Sequence, residues 1–381
     1  MHNVRRRFAA LARLAGTLFF FLVFLPVAIP LAGVAIECRV FQGEDKREAT
    51  TPVALPPEVM EAREGLVDYE RPEDQTYLTF PEWYIVYSSD EYAAFIKDNR
   101  PSRFPYFGAI RQHWQSYYEI CKVTRDQYPL NTGYHLSLVV TGSSFTVENV
   151  LKGIYENTVG RLTEWTSSGE PTQEDVYAQG VAEEYGTFLH TIPWYEFPFK
   201  ERLDGLWRET DAWGPNPIRK WERKLALSVE YGLKAGYGWL IRQGTQSVYG
   251  TEILEIQLWA EGLTDRVVRQ EPEIRVVKRL PPRGAIAALP RYEPFTELVP
   301  DLVARGVTFV EIAGNDEILI TAFAPAAWEY ELEQGTFLFA LPILTEPERQ
   351  RVAIKVPVQS LHTILKELEQ QDVELEHLYD Y

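Results

Sequence analysis

The feature that most constrains this chain is a long uncharged run close to its N-terminus. Residues 14–36 contain no charged side chain, and they follow four basic residues, Arg5, Arg6, Arg7 and Arg13. A helix that crosses a bilayer needs about 20 consecutive apolar residues, and this run is long enough. Because basic flanks stay on the cytoplasmic side, the pattern predicts a cytoplasmic N-terminus. The bulk of the chain is then extracytoplasmic, and periplasmic if the source is a Gram-negative bacterium.

Two interpretations fit the uncharged run, an uncleaved membrane anchor and a cleaved signal sequence. The sequence Gly33-Val34-Ala35 would serve as a cleavage site, but the apolar core of a signal usually covers only about 7–15 residues. The run here is longer. A single-pass anchor is therefore favoured, with the lipid bilayer as the partner of the N-terminal helix.

The rest of the chain has the composition of a folded acidic protein. Hydrophobic residues make up 45% of the chain and charged residues 24%, close to the averages for globular domains. The formal net charge of −17 argues against nucleic acid as a partner, because nucleic-acid binding needs a basic surface. The two cysteines, Cys38 and Cys121, are too few for a disulfide scaffold. They either pair in an oxidising compartment or stay reduced.

Neither a metal site nor a cofactor is expected from the motifs. The six histidines are scattered without the spacing of metal ligands. The Glu-x-x-His pattern of helical di-iron sites is absent, and so is a glycine-rich phosphate loop.

Changes in composition and periodicity divide the chain into five parts. A basic segment (1–13) and the anchor (14–36) precede a tether that contains several prolines (37–75). A mainly α-helical, aromatic-rich domain follows (76–271), and an α+β module ends the chain (272–381). Within the helical domain, apolar residues at helical spacing predict helices over 90–97, 107–122, 134–165, 174–191 and 216–241.

The C-terminal module shows a different apolar period. Short alternating runs separated by two helical patterns give the order strand, helix, strand, strand, then strand, helix, strand. This order is typical of a ferredoxin-like α+β sandwich. Gly314, Asn315 and Asp316 predict a tight hairpin turn between strands over 307–313 and 317–323. The predicted fold class of the chain is therefore α+β.

Two similar strings in the helical domain contain the candidate site. In each, a glutamate precedes a lysine by four residues, Glu148 with Lys152 and Glu230 with Lys234, so that both share one helical face. If the two helices face each other, the close carboxylates would have pKa values pushed apart, as an acid–base pair requires. The alternative is ordinary Glu–Lys pairing on two amphipathic helices. The candidate ligand-binding residues, which include the tyrosine one turn further along each stripe, are Lys152, Lys234, Tyr155 and Tyr237.

An aromatic string over residues 80–87 contains three further candidates. Trp83 and Tyr84 either line a pocket for an apolar ligand or pack in the core. Glu82 lies between aromatic neighbours, and its pKa would be raised if it were buried. That would make it a candidate acid.

Two uncharged stretches, 135–147 and 235–241, raise the question of further membrane contact. Both are too short to cross a bilayer. They form either interfacial helices at the membrane surface or buried parts of the soluble core, and burial is favoured on length.

No catalytic motif identifies an activity. The first functional interpretation is a membrane-anchored, extracytoplasmic accessory or assembly protein that binds another envelope component. The alternatives are a protein that binds a lipid or another apolar small molecule, and an enzyme that uses Glu148 and Glu230 as an acid–base pair.

Overall fold

A helical layer followed by two antiparallel sheets gives this chain an α+β fold. The structure is a computed structural model that describes residues 17, 20–40, 61–63, 65–66, 69–72, 74–167, 170–245 and 254–380. The helices are α1 (Leu25–Glu37), α2 (Gln75–Leu78), α3 (Phe80–Asp98), α4 (Tyr106–Thr124), α5 (Thr132–Tyr155), α6 (Arg161–Trp165), α7 (Gln173–Leu189), α8 (Phe199–Glu209), α9 (Pro217–Thr245), α10 (Asp265–Gln270), α11 (Glu293–Ala304) and α12 (Leu361–Gln370). The strands are β1 (Glu255–Glu261), β2 (Arg275–Arg279), β3 (Ala285–Pro290), β4 (Thr308–Ile312), β5 (Glu317–Pro325), β6 (Thr336–Pro342), β7 (Arg349–Pro357) and β8 (Glu374–Leu378).

The N-terminal apolar segment is attached to the helical layer. A π-helical turn, Phe20–Phe24, leads into α1, and both contact α5, while α1 also contacts α4. A disulfide between Cys38 and Cys121, whose Cα atoms are 4.8 Å apart, ties the end of α1 to α4. Among the described residues, no helix is both long enough and apolar enough to span a membrane. The predicted basic segment 1–13 and the middle of the tether, 41–60, lie outside the described residues.

Both sheets have the same order of strands. The first is ordered β2-β3-β1-β4 and the second β6-β7-β5-β8, with antiparallel neighbours throughout. The connections differ, because α10 joins β1 to β2, whereas residues 326–335 join β5 to β6 without a helix. The chain therefore builds the same strand order twice.

The second sheet is buried on both faces. Successive strand residues point to opposite sides of a sheet. Ile318, Ile320 and Ala322 of β5 pack in a core shared by the two sheets, α11 and α12. Leu319 and Ala353 point the other way, into the core of the helical layer. The sheet thus supports the helices that carry the candidate site.

Two predictions for the C-terminal module differ from the structure. The sequence predicted one sandwich from residue 272, whereas there are two sheets, and β1 lies within the range 76–271 that was predicted to be mainly helical. This strand has only seven residues, too few for a clear period, and its pairing with β3 and β4 is a non-local contact. The predicted hairpin at 314–316 is wrong, because β4 pairs with β1 while β5 pairs with β7 and β8. The turn passes the chain from one sheet to the other.

The favoured burial of the two uncharged stretches holds only for one face of 135–147, where Leu138, Phe145 and Thr146 are buried. Leu136 and Val140 are 65% and 50% exposed, and Trp239 and Leu240 are 58% and 59% exposed. Helix length alone could not show this, because exposure depends on which helices pack against each face.

Candidate functional site

Four helices of the helical layer enclose a cavity of about 380 Å³. Helices α3, α5, α7 and α9 all contribute side chains to its wall. The volume is at the lower end of the range of about 300–1,000 Å³ that is usual for small-molecule sites. Both charged and aromatic side chains line the cavity, so it suits a small ligand that carries charge.

Helices α5 and α9 are joined across this cavity by ion pairs. Lys152 Nζ lies 3.3 Å from Glu230 Oε1, and Lys234 Nζ lies 2.6 Å from Glu148 Oε1. Lys234 Nζ is also 3.4 Å from Glu230 Oε1. The result is a row of alternating charges, called here the ion-pair row, in the order Glu148, Lys234, Glu230, Lys152. The structure thus brings together four charged residues that come from two separate strings of the sequence.

Aromatic rings also lie close to the ammonium groups of the two lysines. Lys152 Nζ lies 4.1 Å from the centre of the Tyr92 ring. Lys234 Nζ lies 5.1 Å from the ring centre of Tyr185 and 5.3 Å from that of Phe199. The face of an aromatic ring attracts a cation within about 6 Å. Each ammonium group is therefore positioned between carboxylates and rings.

A π-helical turn directly after α5 brings another carboxylate to the cavity wall. This turn, Glu156–Gly160, is of a rare type that occurs frequently at functional sites. Glu156 is buried and accepts a hydrogen bond of 2.8 Å from Arg223 Nη1. A Cβ atom at Gly160 would collide with the Glu156 carboxylate, so a larger residue there would force this carboxylate to move.

The ion pairs keep Glu230, Lys152 and Lys234 charged at neutral pH. Burial by itself would raise the pKa of Glu230, but the ammonium groups of Lys152 and Lys234 lower it to about 2. Burial would lower the pKa of each lysine, but the adjacent carboxylates raise it above its ordinary value. A carboxylic acid that donates a proton at neutral pH needs a raised pKa. Glu230 is therefore a fixed negative charge.

The two tyrosines of the predicted site lie outside the cavity wall. Tyr155 donates a hydrogen bond of 2.6 Å to Glu222 Oε1. Tyr237 is 42% exposed, and its ring centre is 5.3 Å from that of Trp194. Neither tyrosine lines the cavity.

Trp83 and Tyr84 are core residues of α3. The Trp83 ring lies 3.6 Å from the ring of His377, centre to centre. Tyr84 donates a hydrogen bond of 2.9 Å to Gln112 Oε1. Both side chains are buried. Of the two alternatives from the sequence, a ligand pocket or the core, they therefore agree with packing in the core.

Glu82 is separate from the other two candidate glutamates. It accepts a hydrogen bond of 3.2 Å from Tyr134 OH, and burial raises its pKa to about 7. Glu148 and Glu230 line the cavity, whereas Glu82 is not part of its wall. The three carboxylates do not share one reacting centre.

A second group of charges, not predicted from the sequence, is buried beside the cavity. Arg219, Lys220, Arg223 and Lys224 of α9 are only 0–3% exposed. Their spacing puts them on one helical face. This spacing is the feature of the sequence that could have indicated the cluster. Their acidic partners come from several segments and are Glu156, Glu164, Glu174, Asp175 and Glu222.

Within the described part of the chain, no group of three or more His, Cys, Asp or Glu side chains is placed to hold a metal ion. Comparison with protein-family models, with curated proteins and with solved structures finds no match to this chain. The function proposed below therefore depends on the geometry of the cavity.

Proposed function

We propose that this protein is a membrane-anchored binding protein whose cavity holds a small zwitterionic molecule. The ion-pair row is the observation that supports this, because it presents both signs of charge inside a cavity of about 380 Å³. An anionic group of the ligand would pair with Lys152 and Lys234. A cationic group would pair with Glu148 and Glu230 and with the faces of the aromatic rings.

The cavity charges are oriented before any ligand arrives. Lys152 and Lys234 are each held by a carboxylate and by at least one ring. Side chains that are already ordered lose little conformational entropy on binding. A zwitterion can exchange these internal ion pairs for its own, so no buried charge is left without a partner.

An acid–base enzyme at this site is the less favoured alternative. Its two proposed carboxylates, Glu148 and Glu230, are separated by the ammonium group of Lys234. The pKa of Glu230 is lowered to about 2, the opposite direction from that of a general acid.

Membrane attachment is proposed through the uncharged run 14–36, with the body of the chain extracytoplasmic. The length of the run and its basic flank support this. So do Phe20, Phe21 and Phe24, which are 45–59% exposed. The two sheets are proposed to be ferredoxin-like modules in tandem, the second without its first helix, since both have the same strand order.

Binding to another envelope protein is the second candidate function. The edge strand β6 of the second sheet supports it, because an edge strand can pair with another chain. Phe337 of β6 is 41% exposed and would supply an apolar contact beside that pairing.

Native mass spectrometry tests the cavity proposal on full-length protein extracted in a mild detergent from its own membrane. We expect a bound small-molecule mass in the wild type and its loss from Lys234→Met, because this change removes the cation between Glu148 and Glu230. Lys200→Met is the matched control, since Lys200 pairs with Asp204 at the surface. A wild type without an adduct, or equal adducts in both variants, would contradict the proposal. Circular dichroism melting of each variant checks that both are folded.

A further inference from the structure

The outer surfaces of α5 and α9 are largely apolar, and most of their charged residues face inward. Glu148 is the exception, with 45% of its side chain exposed. A helix on the surface of a water-soluble protein normally shows the opposite arrangement. On α9 the buried face carries basic residues such as Arg219 and Arg223. The large apolar side chains at 50–68% exposure on these helices are Leu136, Val140 and Leu151 of α5 with Ile218, Leu225, Val229, Leu233, Trp239 and Leu240 of α9.

The two apolar stripes lie on the same side of the helix pair. The contacts of the ion-pair row, Glu148 with Lys234 and Lys152 with Glu230, show that α5 and α9 are antiparallel. One residue corresponds to a rotation of about 100° around the helix axis. The charged residues of the two helices point at each other. The residue before each of them is therefore rotated by about 100° away from the partner helix. Because the helices are antiparallel, this rotation turns both apolar stripes towards the same side of the pair. Each charged residue of the ion-pair row directly follows an apolar residue, as in Val147-Glu148, Leu151-Lys152, Val229-Glu230 and Leu233-Lys234.

We infer that this apolar surface lies against a lipid bilayer, with both helices roughly parallel to the membrane plane. The N-terminal segment supports lipid as the occupant. The turn Phe20–Phe24 and helix α1 contact α5, so the N-terminal apolar segment lies directly beside that helix. Exposed Trp165 and Trp239, at 76% and 58% exposure, are of the residue type enriched at the level of lipid headgroups.

The distribution of exposed apolar side chains fits the same orientation. Among the large ones in the described residues, all but Leu254 and Phe337 lie between residues 20 and 240. The helical layer therefore faces the lipid, and the two sheets face the aqueous compartment. The acidic net charge of −17 gives no attraction to anionic lipid, so burial of apolar side chains stabilises the contact.

Photocrosslinking of full-length protein tests this orientation. The protein is reconstituted into phosphatidylcholine vesicles that carry a diazirine on an acyl chain, illuminated, and mapped by peptide mass spectrometry. We expect lipid adducts on the peptides of α5 and α9 in addition to those of the N-terminal segment. Adducts confined to the N-terminal segment would overturn the inference and leave a protein partner as the cover of this surface.

A double variant, Val229→Glu with Leu233→Glu, makes the test specific. We expect the adducts on α9 to be lost while those on the N-terminal segment remain, since charge is costly in the apolar layer. Leu254→Glu, directly before β1, is the matched control, because Leu254 is 58% exposed, and it leaves the adducts unchanged. Adducts on α9 that persist in the double variant would overturn the inference. If circular dichroism shows the double variant unfolded, Leu136→Glu on α5 replaces it, with loss of the α5 adducts expected. The ligand of the cavity plays no part in this experiment, so the two proposals can fail independently.

Discussion

At the scale of single residues, the charges in the cavity control each other's protonation. Glu230 has two ammonium neighbours, Lys152 and Lys234, at 3.3 and 3.4 Å. They lower its pKa from 4.5 to about 2 although burial acts in the opposite direction. A carboxyl whose pKa is lower in the folded state stabilises the fold above its unfolded pKa. That stabilisation is fully present above about pH 4.5 and is lost as the pH falls towards 2.

We expect Lys152→Met to raise the pKa of Glu230 by about 1–3 units, the usual effect of one close opposite charge. Carboxyl carbon NMR titration of selectively labelled protein measures this value. Lys200→Met, at the surface, should leave the pKa of Glu230 unchanged. An unaltered pKa in Lys152→Met would mean that Lys152 does not hold the carboxylate charged.

At the scale of elements, close contact between α4 and α5 depends on glycines of α5, Gly142 and Gly153. A Cβ atom at Gly142 of α5 would come within 2.5 Å of His113 Nε2 on α4. His113 is fully buried, and burial lowers its pKa to about 3, so the ring is neutral. Gly236 of α9 is different, because a Cβ atom there would meet nothing within 4 Å.

We expect Gly142→Ala to lower the free energy of unfolding by about 1–3 kcal/mol, the usual cost of overpacking a core. Gly236→Ala, also in a helix, should raise it by about 0.5–1 kcal/mol, because alanine favours the helical backbone. Urea denaturation of both variants measures the difference. Equal stability of Gly142→Ala and the wild type would show that α4 and α5 can separate without cost.

At the scale of the whole molecule, a buried arginine joins the helical layer to the second sheet. Arg351 of β7 is 2% exposed, and its guanidinium lies 2.7 Å from Glu376 of β8 and 3.1 Å from Glu91 of α3. The three residues come from distant parts of the chain. Their arrangement links α3, one of the cavity helices, to the second sheet.

Replacing Arg351 with methionine leaves Glu91 and Glu376 buried without a cation. We expect this change to lower the free energy of unfolding by about 3–5 kcal/mol. Arg349→Met is the matched control, because Arg349 pairs near the surface, and its effect should stay within about 0.5 kcal/mol. Adding Glu91→Gln and Glu376→Gln should restore much of the loss. Thermal unfolding monitored by circular dichroism measures all four proteins, and a stable single variant would contradict the role of Arg351.

The sequence by itself determined the local features of this protein. Helices predicted over 107–122 and 216–241 are observed at Tyr106–Thr124 and Pro217–Thr245. The α+β class also followed from the sequence, because the spacing of apolar residues changes at the start of the C-terminal module. The spacing of four residues placed Glu148 with Lys152, and Glu230 with Lys234, on one helical face. These features depend on the geometry of neighbouring residues, which the order of side chains specifies directly.

Only the tertiary structure decided which of these local features meet. It placed the faces of α5 and α9 across one cavity, paired Cys38 with Cys121, and made a strand of Glu255–Glu261 through its neighbours in the sheet. It also left the apolar stripes of α5 and α9 exposed. Contacts between residues far apart in the chain depend on how all the elements pack together, and no local period specifies that arrangement.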